Sequence, residues 1–249
     1  MFKIVPNKLI TVIMLIATFM IFGCPDKKAT SFIEENYASA DVVNGGLLFD
    51  KWWKVNGGTE PTTDFALYPS TSAKSGSTTW RCKECHGWDY VGDEGRYSSG
   101  SHYTGIKGIW DLRNADMEVV FDAIKGLDTE HDLSAVLSDE DIADLTKFVK
   151  EGLVDMSLYI SNGIATGNAT NGKGLYDANC SSCHGIDGNT LDFKSSDGVQ
   201  GIGWLTNDNP QESFHKTRFG HPGSQMPSML EKGLTDSEQA DILTYGQTL

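Results

Sequence analysis

Cysteine is scarce in this chain of 249 residues, with five in all, and basic side chains are in deficit, 20 against 34 acidic ones. The resulting charge of −14 excludes the cationic surface that nucleic acid requires, and points to partners with basic contact surfaces. Long apolar runs are few. The uncharged stretch from Leu9 to Phe22 is too short for a comfortable membrane span, so a multi-spanning protein is excluded. Hydrophobic residues at 39% and aromatics at 10% exclude a disordered chain too. The length sets two domains of roughly 100 residues as the starting expectation.

The apolar run has a definite context. Lys3 and Lys8 precede it and "FGCPD" with Cys24 follows it, the order of a secretory signal: basic start, apolar middle, small residue at the cut. "IFGC" at 21–24 also resembles the lipobox of bacterial lipoproteins, although Phe22 is bulky for that position. The resemblance implies a signal peptide over 1–23, a lipid on Cys24 and a tether over 24–40. It thus implies an exported protein held to a membrane by its N-terminal lipid, on the periplasmic or cell-surface side. An uncleaved anchor or ordinary cleavage nearby are the alternatives. Losing the leader removes two lysines and no acid, which makes the chain more negative still.

The other four cysteines form two pairs, Cys82 with Cys85 and Cys180 with Cys183, and each pair is followed at once by a histidine, His86 or His184. Two thiols alone would be read as a disulfide in an exported protein. The adjacent histidine makes each the attachment signature of a c-type haem, CxxCH. Its thiols add to the two vinyl groups of one porphyrin while the imidazole reaches the iron, so two covalently bound haem c groups are expected, with His86 and His184 as fifth ligands. A zinc site would need four ligands near each pair.

The two halves repeat one plan. "NGGLLFDKWW" (44–53) parallels "NGKGLYDANC" (171–180), and both read as helices leading toward a cysteine pair. "LSDEDIADLTKFVKEG" (137–152), with Ser138 as N-cap, parallels "LTDSEQADILTYGQTL" (234–249), where Thr235 and Glu238 form a capping box. The spacing differs in one place. Asp50 stands 32 positions before Cys82, whereas Asp177 stands 3 before Cys180. The extra residues, about 54–80, are rich in Ser, Thr, Gly and Pro and are expected to form a surface loop.

With first helix, CxxCHG, Gly-rich loop and capped last helix each occurring twice, the chain resembles two class I c-type cytochromes in tandem. Segments such as "GGLLFDKWW", "TWRCKECHGWDY" and "NPQESFHKTRFGHPGSQMP" resemble those of exported dihaem cytochromes. The resemblance implies a mainly α fold with cytochrome domains over 41–155 and 156–249, linked near 156–169. Each would have a few helices and Gly-rich loops wrapped around its haem.

It also implies sixth ligands. "HPGSQMPSML" presents Met226 in the Met-Pro context typical of the class, with Met229, His215 and His221 as competitors. The first half has no Met-Pro. Placing Gly126 against Gly220 brings His131 to the position of the missing Met, with His102, Met117 or an open site as alternatives. Trp80, Trp88 and Tyr90 are expected to pack about the first haem, and Arg81, Arg96 and Arg218 are candidates to pair with propionates.

Bis-His ligation at the first haem and His/Met ligation at the second imply a lower and a higher potential. Electron transfer between redox partners is the role the resemblance implies, with no catalytic residue of its own. The alternatives are a thiosulfate dehydrogenase-like or peroxidase-like enzyme and an electron-conducting subunit of an assembly. No cysteine is left over to serve as the distal ligand that thiosulfate oxidation often uses.

Overall fold

A computed structural model describes residues 32–127, 129–193 and 198–249. The expected signal peptide and Cys24 lie outside the described residues. Residues 31–249 make one compact unit, built of helices and one very short hairpin.

Helix α1 (Phe32–Ser39) occupies the second half of the expected tether. It is tied down by the Tyr37 hydroxyl, which donates to Glu151 at 2.6 Å. Helix α2 (Val42–Lys51) starts at Asp41, whose carboxylate accepts from the Val43 and Asn44 amides. Helix α3 (Cys82–His86) carries the first cysteine pair, and α4 (Met117–Lys125) ends at Gly126, left-handed at φ 75°. Helix α5 (Asp139–Lys147) opens on Ser138 as expected, with a full capping box to Asp141, and runs on as a π-turn through Gly152.

The connection between the halves is more ordered than a linker. Strands β1 (Ile160–Ser161) and β2 (Ile164–Ala165) pair antiparallel, with Ile160 opposite Ala165, and both of these side chains are buried. The second half then has α6 (Ala169–Asn179), α7 (Ser181–His184), α8 (Ile202–Asp208), α9 (Pro210–Phe219) and α10 (Asp236–Gly246). Helix α10 opens on the expected capping box of Thr235 and Glu238.

Two helix crossings organise the molecule, α2 on α5 and α6 on α10, and they match atom for atom. In the first, the Asp41 amide donates to one Asp144 oxygen at 2.6 Å and the Asn44 amide group to the other at 2.7 Å. In the second, the Asn168 amide and the Asn171 side chain donate to the two oxygens of Asp241 at 2.5 and 2.7 Å. A glycine sits at each crossing. A Cβ on Gly45 would strike the backbone carbonyl of Asp144, and one on Gly172 that of Asp241. Only a residue without a side chain lets these helices approach so closely. One turn on, Phe49 packs on Phe148 at 5.1 Å and Tyr176 on Tyr245 at 5.4 Å.

The core is shared between the halves. Trp88, Tyr90, Phe49 and Phe148 of the first half surround His215 and Phe219 of α9. Gly46 on α2 faces the ring of Phe219 so closely that no Cβ fits there.

Candidate haem-attachment sites

Each cysteine pair sits on a single helical turn that ends in a glycine no other residue could easily replace. Gly87 has φ 76° and ψ 154°, and Gly185 has φ 82° and ψ 161°. In both, the chain then curls back to the histidine carbonyl: Gly92 N–H donates to His86 at 2.9 Å and Thr190 N–H to His184 at 3.0 Å. Asp89 and Asp187 brace these loops by accepting from the amides of Val91 and Asn189. No disulfide joins the four cysteines of the described residues. Desolvation pushes Cys82 and Cys85 up to about 12 and Cys180 to about 11. Among the described residues, no three His, Cys, Asp or Glu side chains converge as a site for a bare metal ion.

Burial keeps both adjacent histidines neutral. Desolvation holds His86 down to about 4, and its Nδ1 lies 2.8 Å from the Lys107 carbonyl. Because a carbonyl only accepts, Nδ1 carries the proton and Nε2 keeps its lone pair for a metal. His184 is also lowered by burial. Its Nδ1 has no partner among the described residues, and its ring neighbour is Phe193 at 6.1 Å.

Across from His86 stands His131, ring centroid to ring centroid 6.2 Å. Nothing but an irregular segment carries His131. Its amide donates to the Thr129 hydroxyl at 3.1 Å, and its ring meets the ring of Phe65 at 6.0 Å. An imidazole nitrogen binds a transition metal at about 2 Å, so two rings on opposite sides of one ion have centroids about 6 Å apart. The His86–His131 separation is of that order, with the ring planes at 62°.

The other candidates have different partners. His102 pairs through Nδ1 with Glu84 at 2.7 Å and its ring stacks on Tyr97 at 4.7 Å. Met117 is the first residue of α4 and partly buried. His215 is fully committed, Nε2 to the Gly46 carbonyl at 3.0 Å and Nδ1 to the Tyr90 hydroxyl at 2.9 Å, which leaves no lone pair for iron. His221 lies among Lys216, Asp50 and Lys51, with burial and the lysines holding it near 4.

Met226 is half-buried in the loop between Gly220 and α10, its amide on the Ser224 hydroxyl at 3.1 Å. The loop is pinned behind it by Ser228, whose hydroxyl donates to the Arg218 carbonyl at 2.7 Å, and by the Met229 amide on Thr217. Met229 itself is 3% exposed.

Two arginines read as propionate partners have other work. Arg81 pairs with Asp50, and Arg218 with Asp236 and the Gly152 carbonyl, each because a carboxylate of the chain lies within reach. Arg96 is exposed. Donors for a carboxylate-bearing cofactor exist elsewhere: the indole nitrogens of Trp52 and Trp53 are buried without an acceptor among the described residues. Trp80 packs on Phe65, whereas Trp88 and Tyr90 turn toward His215 and the boundary between the halves.

Helices crossing through glycine, and a cysteine pair on one turn with a neutral histidine behind it, recur in both halves of a mainly helical chain. Against known families, residues 169–249 match the family model for cytochrome c. That segment is a cytochrome c domain, which implies a covalently bound haem c and electron transfer as the general role. No curated protein and no solved structure matches the chain.

Proposed function

We propose that the chain is an exported dihaem c-type cytochrome that passes electrons between redox partners. What carries this is the duplicated crossing: Asp144 and Asp241 accept from equivalent donors, over equivalent glycines, in both halves. The first half thus has the same frame as the matched domain 169–249, with its own CxxCHG in the same loop geometry. In this reading Cys82, Cys85 and His86 hold one haem, and Cys180, Cys183 and His184 the other. His131 closes the first iron and Met226 the second.

A bound haem supplies a one-electron carrier whose potential follows its axial ligands. The residues of the chain do the rest. The Lys107 carbonyl fixes the His86 tautomer, and the 6.2 Å gap to His131 supports bis-His ligation. A thioether stabilises reduced iron relative to a second imidazole, so the first haem has the lower potential. The acidic chain meets basic partners, and a lipid on Cys24 holds it to a membrane on the periplasmic or cell-surface side.

Haem quantitation and redox titration test this. Two haems per chain are expected, with two separated potentials. His131→Met should raise the lower and Met226→His should depress the higher. One haem per chain, or a potential order that these variants leave untouched, would sink the reading.

A further inference from the structure

The extra residues before Cys82 form the surface loop expected of them, and that loop is tied back on itself. The Phe65 amide donates to the Thr79 hydroxyl at 2.8 Å, the Trp80 indole to the Thr63 carbonyl at 2.8 Å, and the Gly76 amide to Asp64 at 2.5 Å. Thr79 is 1% exposed and Tyr68 7%. These bonds fold the insertion back on its own stem and drive two of its aromatics inward. Phe65 packs against Trp80 at 4.8 Å, with the rings tilted by 58°, and meets the ring of His131 at 6.0 Å, at 82°. Tyr68 is desolvated, and burial with the charge of Glu84 pushes its phenol up to about 12. Phe65 thus reaches the His131 side. In the second half Asp177 is followed by Cys180 with no room for such a segment.

We propose that residues 54–80 are a cover for the first haem site, in which Phe65 is a positioning residue. It keeps His131 facing His86, and so keeps small exogenous ligands away from the position between them. This rests on the reading of His131 as an axial ligand. The physical need is plain. His131 has no helix to aim it, so the packing of Phe65 against its ring bears directly on its orientation. An aromatic contact of this kind shifts an open–closed equilibrium by about two- to tenfold.

The test uses the full haem-loaded chain and follows carbon monoxide binding to the reduced protein, and cyanide binding to the oxidised one, by optical spectroscopy. Phe65→Ala should increase the extent or rate of ligand uptake at the first haem by about two- to tenfold. Phe65→Leu, which keeps an apolar body beside the ring, should restore most of the closure. His131→Ala serves as the fully opened reference.

The outcomes separate. If His131→Ala binds ligand freely while Phe65→Ala behaves as the unaltered protein, the cover is refuted and the ligation reading stands. If His131→Ala changes neither the spectrum nor ligand uptake, the ligation reading has failed and the cover falls with it. Fast ligand uptake at the first haem of the unaltered protein would also overturn the proposal.

Discussion

Tyr90 donates its hydroxyl to Nδ1 of His215 at 2.9 Å, joining residues 125 positions apart. The direction of the bond is fixed at the other end of the ring. Nε2 faces the Gly46 carbonyl, which can only accept, so Nε2 carries the proton and Nδ1 must accept. Tyr90 reaches this position with φ at 67°, where the matching residue of the second half is Gly188 at 73°. A bulky residue in the left-handed region carries backbone strain. The surrounding core holds it there, with Tyr90 and His215 both almost wholly buried.

Tyr90→Phe removes the hydroxyl and leaves Nδ1 of a buried imidazole without a donor. The loss should be about 1–3 kcal/mol of stability. For a chain of this size each kcal/mol is about 2–4 °C in Tm. Thermal unfolding of the variant should therefore begin clearly earlier, and an unchanged Tm would mean that the bond contributes nothing net.

The same histidine makes stability depend on pH. Burial holds His215 down to about 4, with Asp50 only partly opposing it, against about 6.5 in an unfolded chain. The unfolded state therefore takes up a proton first. Stability is full above about pH 6.5 and falls as pH drops toward 4, by up to about 3 kcal/mol. Below 4 this contribution is exhausted. Chemical denaturation from pH 7 to 4 should show the slope, and His215→Gln should flatten it while lowering stability at pH 7.

Much of this frame is legible in the sequence because it is local. Ser138 and Thr235 announce their helices through contacts three residues away, and the cysteine pairs lie within one turn. The glycines at the crossings are legible only as part of a repeat, since their reason lies in Asp144 and Asp241, about 70 to 100 positions on. His215 reads as a spare ligand because nothing near it in sequence reveals Tyr90 or Gly46. The insertion reads as surface because its composition is polar, and only folding brings Phe65 to His131. The helix at 32–39 and the hairpin at 160–165 are too short and too weakly patterned to stand out.

Arg81 sets up a third measurement. Asp50 is 1% exposed, and although burial alone would raise it, Arg81 and Lys216 hold its carboxyl near 2. Arg81→Met keeps the apolar stem but removes the hydrogen-bonded partner of the buried carboxylate and leaves only Lys216, 4.0 Å away. The cost should be about 3–5 kcal/mol. Asp50→Asn in the same background should recover part of it, because it removes the uncompensated charge. If the single variant loses under about 1 kcal/mol in denaturant titration, water must reach Asp50 and the ion pair is not sealed.

Two glycines on one helix provide the sharpest contrast. Gly172 and Gly174 both lie within α6, two residues apart, and differ only in what faces them. A Cβ on Gly172 would collide with the backbone of Asp241 and Ile242, whereas one on Gly174 meets nothing within 4 Å. Gly174→Ala should therefore stabilise the protein by about 0.5–1 kcal/mol, the helix preference alone. Gly172→Ala gains the same preference but must push α10 away, for a net loss of about 1–3 kcal/mol or more. Gly45→Ala meets the Asp144 backbone in the same way and should behave as Gly172→Ala does. Parallel losses at Gly45 and Gly172, read from equilibrium unfolding, would establish that both halves depend on one kind of crossing. If Gly45→Ala were harmless while Gly172→Ala was not, the first half would not share the frame of residues 169–249, and the case for a second haem domain would lose its main support.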